Sequence, residues 1–166
     1  MLNLLRNTLY LRLQADLLRA LHVESGQTLS EPPLLALRSD GKGRRVPLAV
    51  GDAALALDGQ PGVELVNGFR HPRTLLADFA VAEQTLRLLL KRLQPPVLLR
   101  PAPTVVLQPL ERLEGGLTQV ETRALVELLM GAGARQVYLW TGRELHSHEL
   151  EHLHFPEAGG SLLWPA

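Results

Sequence analysis

Apolar positions along this chain come in short runs, and their period switches between two and about 3.6, as when strands and helices alternate. Leu9, Leu11 and Leu13 alternate with other residues and predict a first strand. The same stretch also sets Leu2, Leu5 and Leu9 on one helical face, which leaves open a short amphipathic segment in weak contact with a membrane. Residues 17–23 and 34–37 are further apolar runs, and Ser25-Gly26 is a turn signal that suggests a hairpin of the first two runs. Strands are predicted at 46–50 and 63–66, with a short helical turn at 52–57 between them.

Two longer segments read as helices. From Asp78 onward, Ala82, Leu86, Leu89, Leu90 and Leu93 form one stripe with Glu83, Arg87 and Lys91 outside it, and Pro95-Pro96 ends the run. Residues 105–107 are a β-branched strand candidate. The clearest unit lies at 115–139. Thr118 and Glu121 have capping-box spacing, and Val120, Ala124, Leu125, Leu128, Leu129 and Ala132 follow at helical period. Gly131 and Gly133 allow the helix to stop and reverse into a strand at 137–139. A last helix is predicted over 143–154 and a last strand over 161–164. Prolines and glycines lie mostly between these segments, which favours one α/β domain of many short elements over two domains and a linker.

Composition narrows the function classes. Lys plus Arg and Asp plus Glu are both 17, so the net charge is zero. That balance argues against a general nucleic-acid binder, which is normally basic. The chain has no cysteine, which excludes disulfides, thiolate zinc sites and cysteine nucleophiles and is compatible with a reducing cytoplasm. No apolar run reaches the roughly 20 residues of a membrane span. The apolar start is interrupted by Arg6 and Arg12 and does not read as a signal peptide. The expected location is the cytoplasm, including the inner face of the membrane. Residues 39–45 form a polar loop with Lys42, Arg44 and Arg45, either a phosphate contact or a solvated basic tip.

Candidate chemistry is concentrated near the end. His146, His148, His152 and His154 crowd into twelve residues, and His148-Glu149-Leu150-Glu151-His152 matches H-E-x-x-H. On a helix that spacing puts two imidazoles on one face with a glutamate between them, as zinc proteases use. Glu151 at an internal position, and Phe155 where the extended motif needs glycine, weaken a zinc-hydrolase reading through His148 and His152. A solvated helix face with charges at i,i+4 spacing explains the same residues. The expectation is no catalytic residue, no metal and no cofactor.

Several strings in register resemble the MreB family, the bacterial actin homologues that set rod shape. They are Leu29-Ser30-Glu31-Pro32, Ala49-Val50-Gly51, Ala77-Asp78-Phe79 with Glu83, Thr118-Gln119-Val120-Glu121 with Arg123-Ala124, and Gly131-Ala132-Gly133-Ala134-Arg135 with Val137 and Leu139. The resemblance covers nearly all of this chain and about the N-terminal half of a family member. It implies a ribonuclease-H-like (actin-like) subdomain over 1–38 and 104–166, a small α/β subdomain inserted over 39–103, and no second half of the actin fold.

The resemblance also implies where ATP chemistry should lie. The family's first hairpin carries Asp-Leu-Gly-Thr for metal and phosphates; here the Asp, Gly and Thr positions hold Arg12, Gln14 and Ala15. A phosphate loop needs glycine where backbone amides meet oxygen and an acid near the metal; Asp16 supplies an acid only if the register slips. The family's Glu-Glu-Pro falls on Thr141, Gly142 and Arg143, and its second phosphate loop would begin at Trp164-Pro165-Ala166. The expectation is a degenerate MreB-like chain that does not hydrolyse ATP. It would be an interaction protein that modulates or caps actin-like filaments, with a full-length homologue or a second copy as partner. A membrane-linked scaffold anchored through Leu2, Leu5 and Leu9, and a decayed paralogue, are the alternatives.

Overall fold

A computed structural model describes residues 5–166. Its larger sheet has six strands. β1 (Thr8–Leu13), β7 (Thr104–Pro109) and β8 (Gln136–Gly142) run parallel at its centre. β2 (Leu18–His22) and β3 (Thr28–Glu31) extend it antiparallel on one side, and β9 (Gly160–Trp164) on the other, giving the order β3-β2-β1-β7-β8-β9. The smaller sheet has the order β5-β4-β6, from β4 (Leu35–Ser39), β5 (Arg45–Val50) and β6 (Val63–Val66), with the short α1 (Asp52–Leu55) beside it.

Strand alternation decides which residues meet on each face of the large sheet. Leu9, Leu11 and Leu13 of β1, Val105 and Leu107 of β7, and Val137 and Leu139 of β8 point to one side. There they share a core with Leu86, Leu89, Leu90 and Leu93 of α2 (Phe79–Leu93) and Leu125, Leu128 and Leu129 of α3 (Gln119–Gly131). Tyr10, Val106 and Trp140 point to the other side and pack with Leu145 and with Leu150 of the six-residue α4 (Ser147–His152). Both long helices are capped as their sequences require: Asp78 accepts from the Val81 amide at 3.1 Å, and Thr118 and Glu121 form the reciprocal capping box at 3.1 and 2.8 Å.

Several expectations move. The first two runs do form a hairpin, β1 pairing antiparallel with β2, but its turn is closed by Gln14 N–H donating to Leu17 O at 2.9 Å, and Ser25-Gly26 instead turns β2 into β3. β3 is only four residues long with one buried apolar side chain, Leu29, so alternation alone hardly marks it. The small sheet already begins at Leu35 and ends at Val66, while the apolar stripe of α2 packs on the large sheet. On α3, Val120 is 78% exposed and Val126 is buried instead. The last helix spans Ser147–His152, not 143–154, and ends at Leu153 in a left-handed conformation (φ 51). A membrane face built on Leu9 is ruled out, since Leu9 is fully buried in β1. Leu5 is exposed, and Leu2 lies outside the described residues.

Candidate functional site

In sheets with parallel strands, ligands bind beyond the carboxyl ends of the strands. Here those ends belong to β1, β7 and β8. They bring together Arg12, Gln108 and the 141–145 segment, so the sequence-nominated residues Arg12, Thr141 and Gly142 do converge. Gln14 and Ala15 follow in the β1–β2 turn, Gln14 partly exposed and Ala15 buried. Asp16 is exposed and pairs with Arg70 on the outside, so it does not restore an acid to this edge.

The chain's own side chains occupy this edge. Arg12 Nη1 lies 3.4 Å from a Glu144 carboxylate oxygen, and Arg12 Nε is buried with no partner among the described residues. Gln108, almost fully buried at the end of β7, accepts from the Tyr10 hydroxyl and donates to Gly142 O at 2.6 Å and to Arg143 O at 3.3 Å. Tyr10 in turn accepts from the Leu145 amide at 3.1 Å, and burial raises its phenol pKa, keeping it a neutral donor. Trp140 Nε1 also donates to Arg143 O, at 2.8 Å. The turn after β8 is therefore held by three buried polar side chains of the sheet. Periodicity does not reveal this network, because its members are scattered over three strands; a glutamine inside an otherwise apolar strand, at Gln108, is its one trace in the sequence.

Gly142 shows why an acidic residue does not fit here. Its φ is 140°, and a Cβ added to it would lie 2.3 Å from Gly159 O and 2.4 Å from Gly160 Cα. Those atoms lie at the start of the incoming β9 and in the residue just before it, where β9 pairs with β8 through Gly142↔Gly160. A side chain at position 142 and the β8–β9 pairing exclude one another.

The H-E-x-x-H glutamate is likewise committed elsewhere. Glu149 is 4% exposed rather than solvated. It takes both Arg143 guanidinium nitrogens at 2.9 and 2.7 Å and the His146 amide at 2.7 Å. The Arg143 hydrogen bonds, aided by the His146 amide, pull its pKa down to about 2. So placed, it faces its own loop and serves as an anchor, not a base. His148 and His152 are exposed, His148 stacks on His146 at 6.0 Å, and no group of three or more potential ligands that could hold a metal occurs among the described residues. Because the folded pKa of Glu149 is depressed, its contribution to stability is complete above the ordinary carboxylate value of 4.5 and is lost as pH falls from there toward 2. Thermal melts across that window are expected to show a decline that flattens in Glu149→Gln, whose starting stability is lower.

The comparisons with known proteins agree with this architecture. The family model described as MreB/Mbl protein matches residues 14–144. The cell shape-determining protein MreB of Haemophilus influenzae is 36% identical over 115 residues, covering 69% of this chain and 32% of that protein. MreB of Escherichia coli is 37% identical over 117 residues with the same coverage. This chain thus spans about a third of the length of the curated relatives it matches. Among solved structures, MreB5 of Spiroplasma citri bound to ADP superposes with a TM-score of 0.59 at 22% identity, over 81% of this chain and 37% of that one. A non-polymerising mutant of MamK bound to AMPPNP superposes with a TM-score of 0.63 at 13% identity, over 81% of this chain and 40% of that one. At those identities the structural likeness speaks for the fold alone: the two sheets and four helices form part of an actin-like fold. With 14–144 matched by its model, the chain belongs to the MreB/Mbl family.

Proposed function

We propose that this chain is an interaction protein of the cell-shape machinery, one that associates with a full-length actin-like relative or with a second copy and does not hydrolyse ATP through its own residues. The observation that carries this reading is the filled edge beyond β1, β7 and β8. Arg12 stands where the family resemblance asks for an acid and pairs with Glu144, and Gly142 has no room for a side chain. A metal-bound triphosphate needs carboxylate near the metal and open backbone amides near the phosphates, and the residues here favour neither. Two measurements test the proposal. Titration calorimetry with Mg-ATP is expected to give no heat of binding, and micromolar affinity would overturn the ATP part. Mixing with a full-length homologue is expected to shift the sedimentation of its filaments, and unchanged sedimentation together with a monomeric mass by light scattering would overturn the interaction part.

One observation favours a second reading, contact with a membrane surface, through Leu98 and Leu99 together with Leu5 rather than through Leu9. Leu98 and Leu99, in the loop between α2 and β7, are 89% and 92% exposed, and Val97 beside them is 47% exposed. Exposed Leu5 lies at the same end of the sheet, since Asn7 bonds to Gln94 and Pro101 on either side of that loop. Lys91 and Arg100 flank the apolar tip in sequence, a pairing of apolar and basic groups that suits an anionic interface. Flotation with anionic liposomes is expected to carry the native chain upward and to fail for a Leu98→Ser, Leu99→Ser variant; equal flotation of both would sink this reading.

A further inference from the structure

We propose that the cleft between the C-terminal ends of α2 and α3 is a phosphate-binding site, held by Lys91 and Arg100. The period of α2 builds one wall: Arg87, Leu90, Lys91 and Gln94 recur at helical spacing and line the cleft. The 95–100 loop builds another, and Ala132-Gly133, where α3 ends, completes it. The cavity is about 350 Å³. Three of its lining residues are cations and, among the described residues, none is a carboxylate. Some of the polar groups are already committed. Arg87 donates to Glu83 at 2.9 Å and to the Gly131 carbonyl at 2.6 Å. Gln94 donates to Leu90 O at 3.0 Å and accepts from Asn7 at 2.7 Å. Lys91 and Arg100 differ. Neither makes an ion pair among the described residues, and Arg100 Nη1 is buried with no hydrogen-bond partner among them.

Lys91 lies in the last turn of α2, where a cation offsets the helix dipole without any ligand. That accounts for Lys91 alone. Arg100 belongs to no helix, and a guanidinium N–H removed from water without an acceptor is costly. An anion between the two side chains supplies that acceptor. Phosphate suits the pair: a guanidinium offers parallel N–H groups to two of its oxygens, and an ammonium sets a point charge against a third. The cleft also keeps its shape before any ligand arrives. Pro95, Pro96 and Pro103 fix three φ angles along it. Asn7 ties the loop at both ends, to Gln94 and, at 2.8 Å, to the Pro101 carbonyl, so binding requires little further ordering. Val97 lines the cleft, and the exposed Leu98 and Leu99 follow it directly. An apolar tip entering the acyl boundary brings neighbouring cations to the depth of lipid phosphates. A lipid headgroup is thus one source of the phosphate and a soluble phosphate the other; only the first rests on the membrane reading above.

The test uses the full chain at constant pH and matched ionic strength, in two arms. In the first, inorganic phosphate is titrated against chloride while NMR follows the Arg100 side-chain Nε–H and the Val97 and Gly133 amides. Expected are saturable shifts with phosphate alone, and a Kd weakened about tenfold or more in Lys91→Gln and in Arg100→Gln, each removing one charge-assisted contact. Arg123→Gln removes the same charge from the exposed face of α3, outside the cleft, and should leave the Kd unchanged. Shifts no larger than those with chloride, or equal weakening by Arg123→Gln, would overturn the site. Should Arg100→Gln fail to fold, the exposed Lys91→Gln and the native chain's choice of phosphate over chloride still decide it. In the second arm, vesicles of phosphatidylglycerol replace inorganic phosphate. Binding that falls with the same two substitutions makes a headgroup the source, and Leu98→Ser, Leu99→Ser should then lose the vesicles yet keep inorganic phosphate. Phosphate saturation with vesicle binding absent, or untouched by the two substitutions, makes the source a soluble phosphate and leaves the site in place. Absent vesicle binding sinks the membrane reading alone, so its failure and failure of the site are told apart.

Discussion

Gly142→Ala is expected to be among the most damaging single-atom additions available in this chain, costing about 3 kcal/mol from backbone strain and overpacking together. The residue has φ 140°, a conformation that a Cβ makes unfavourable. The added carbon would lie inside contact distance of Gly159 O and Gly160 Cα, which are backbone atoms and cannot rotate away. Two responses are open to the protein: keep β9 paired and carry the strain, or let β9 leave. Either lowers the melting temperature, and for a chain of this size about 3 kcal/mol corresponds to roughly 6–12 °C. Gly142→Glu, which writes an acid into the position, is expected to do worse and to expose the β8 edge; faster exchange at Leu139–Thr141 would report that. Melting within a degree or two of the native chain for Gly142→Ala would show that β9 is not held as described.

Trp140→Ala is expected to cost about 3–5 kcal/mol, the usual range for removing a fully buried large aromatic. Trp140 is fully buried and forms the centre of the smaller core, against Phe155 at 6.0 Å between ring centroids. Its indole N–H holds the Arg143 carbonyl at 2.8 Å, and Gly160 packs so close that a Cβ there would fall 2.3 Å from the ring. Removing the ring thus opens a cavity and frees part of the Arg143 turn. Trp140→Phe separates the two contributions: most of the packing survives and the hydrogen bond does not, so its cost should be well below that of alanine and near the roughly 1–2 kcal/mol of a lost buried bond. Denaturant melts of the three proteins check this, and equal costs for alanine and phenylalanine would overturn it.

Much of the scaffold was legible because local chemistry suffices for it. The α2 stripe of Ala82, Leu86, Leu89, Leu90 and Leu93 is buried as its spacing predicts, and the Thr118–Glu121 box forms as its residues require. Where the reading slipped, a distant element intervened. Val120 fits the helical stripe, yet it lies in the first turn of α3, where no packed element covers it. The histidine-rich segment keeps only six residues of helix because Tyr10, Gln108 and Trp140, from three strands, hold residues 142–145 outside it.

The candidate site divides along the same line. From the sequence alone came the family, the alternation of elements and the residue types at the positions the resemblance assigns to the nucleotide: Arg12, Gln14, Ala15, Thr141 and Gly142. These are properties of single positions and their neighbours, set by side-chain chemistry and the periods of helix and strand. Only the tertiary structure decided that Arg12 meets Glu144, that Glu149 is spent on Arg143, and that β9 occupies the space a side chain at Gly142 would need. Each of these depends on residues brought together by strand register or chain reversal, and no local pattern encodes which buried partner a polar group will find.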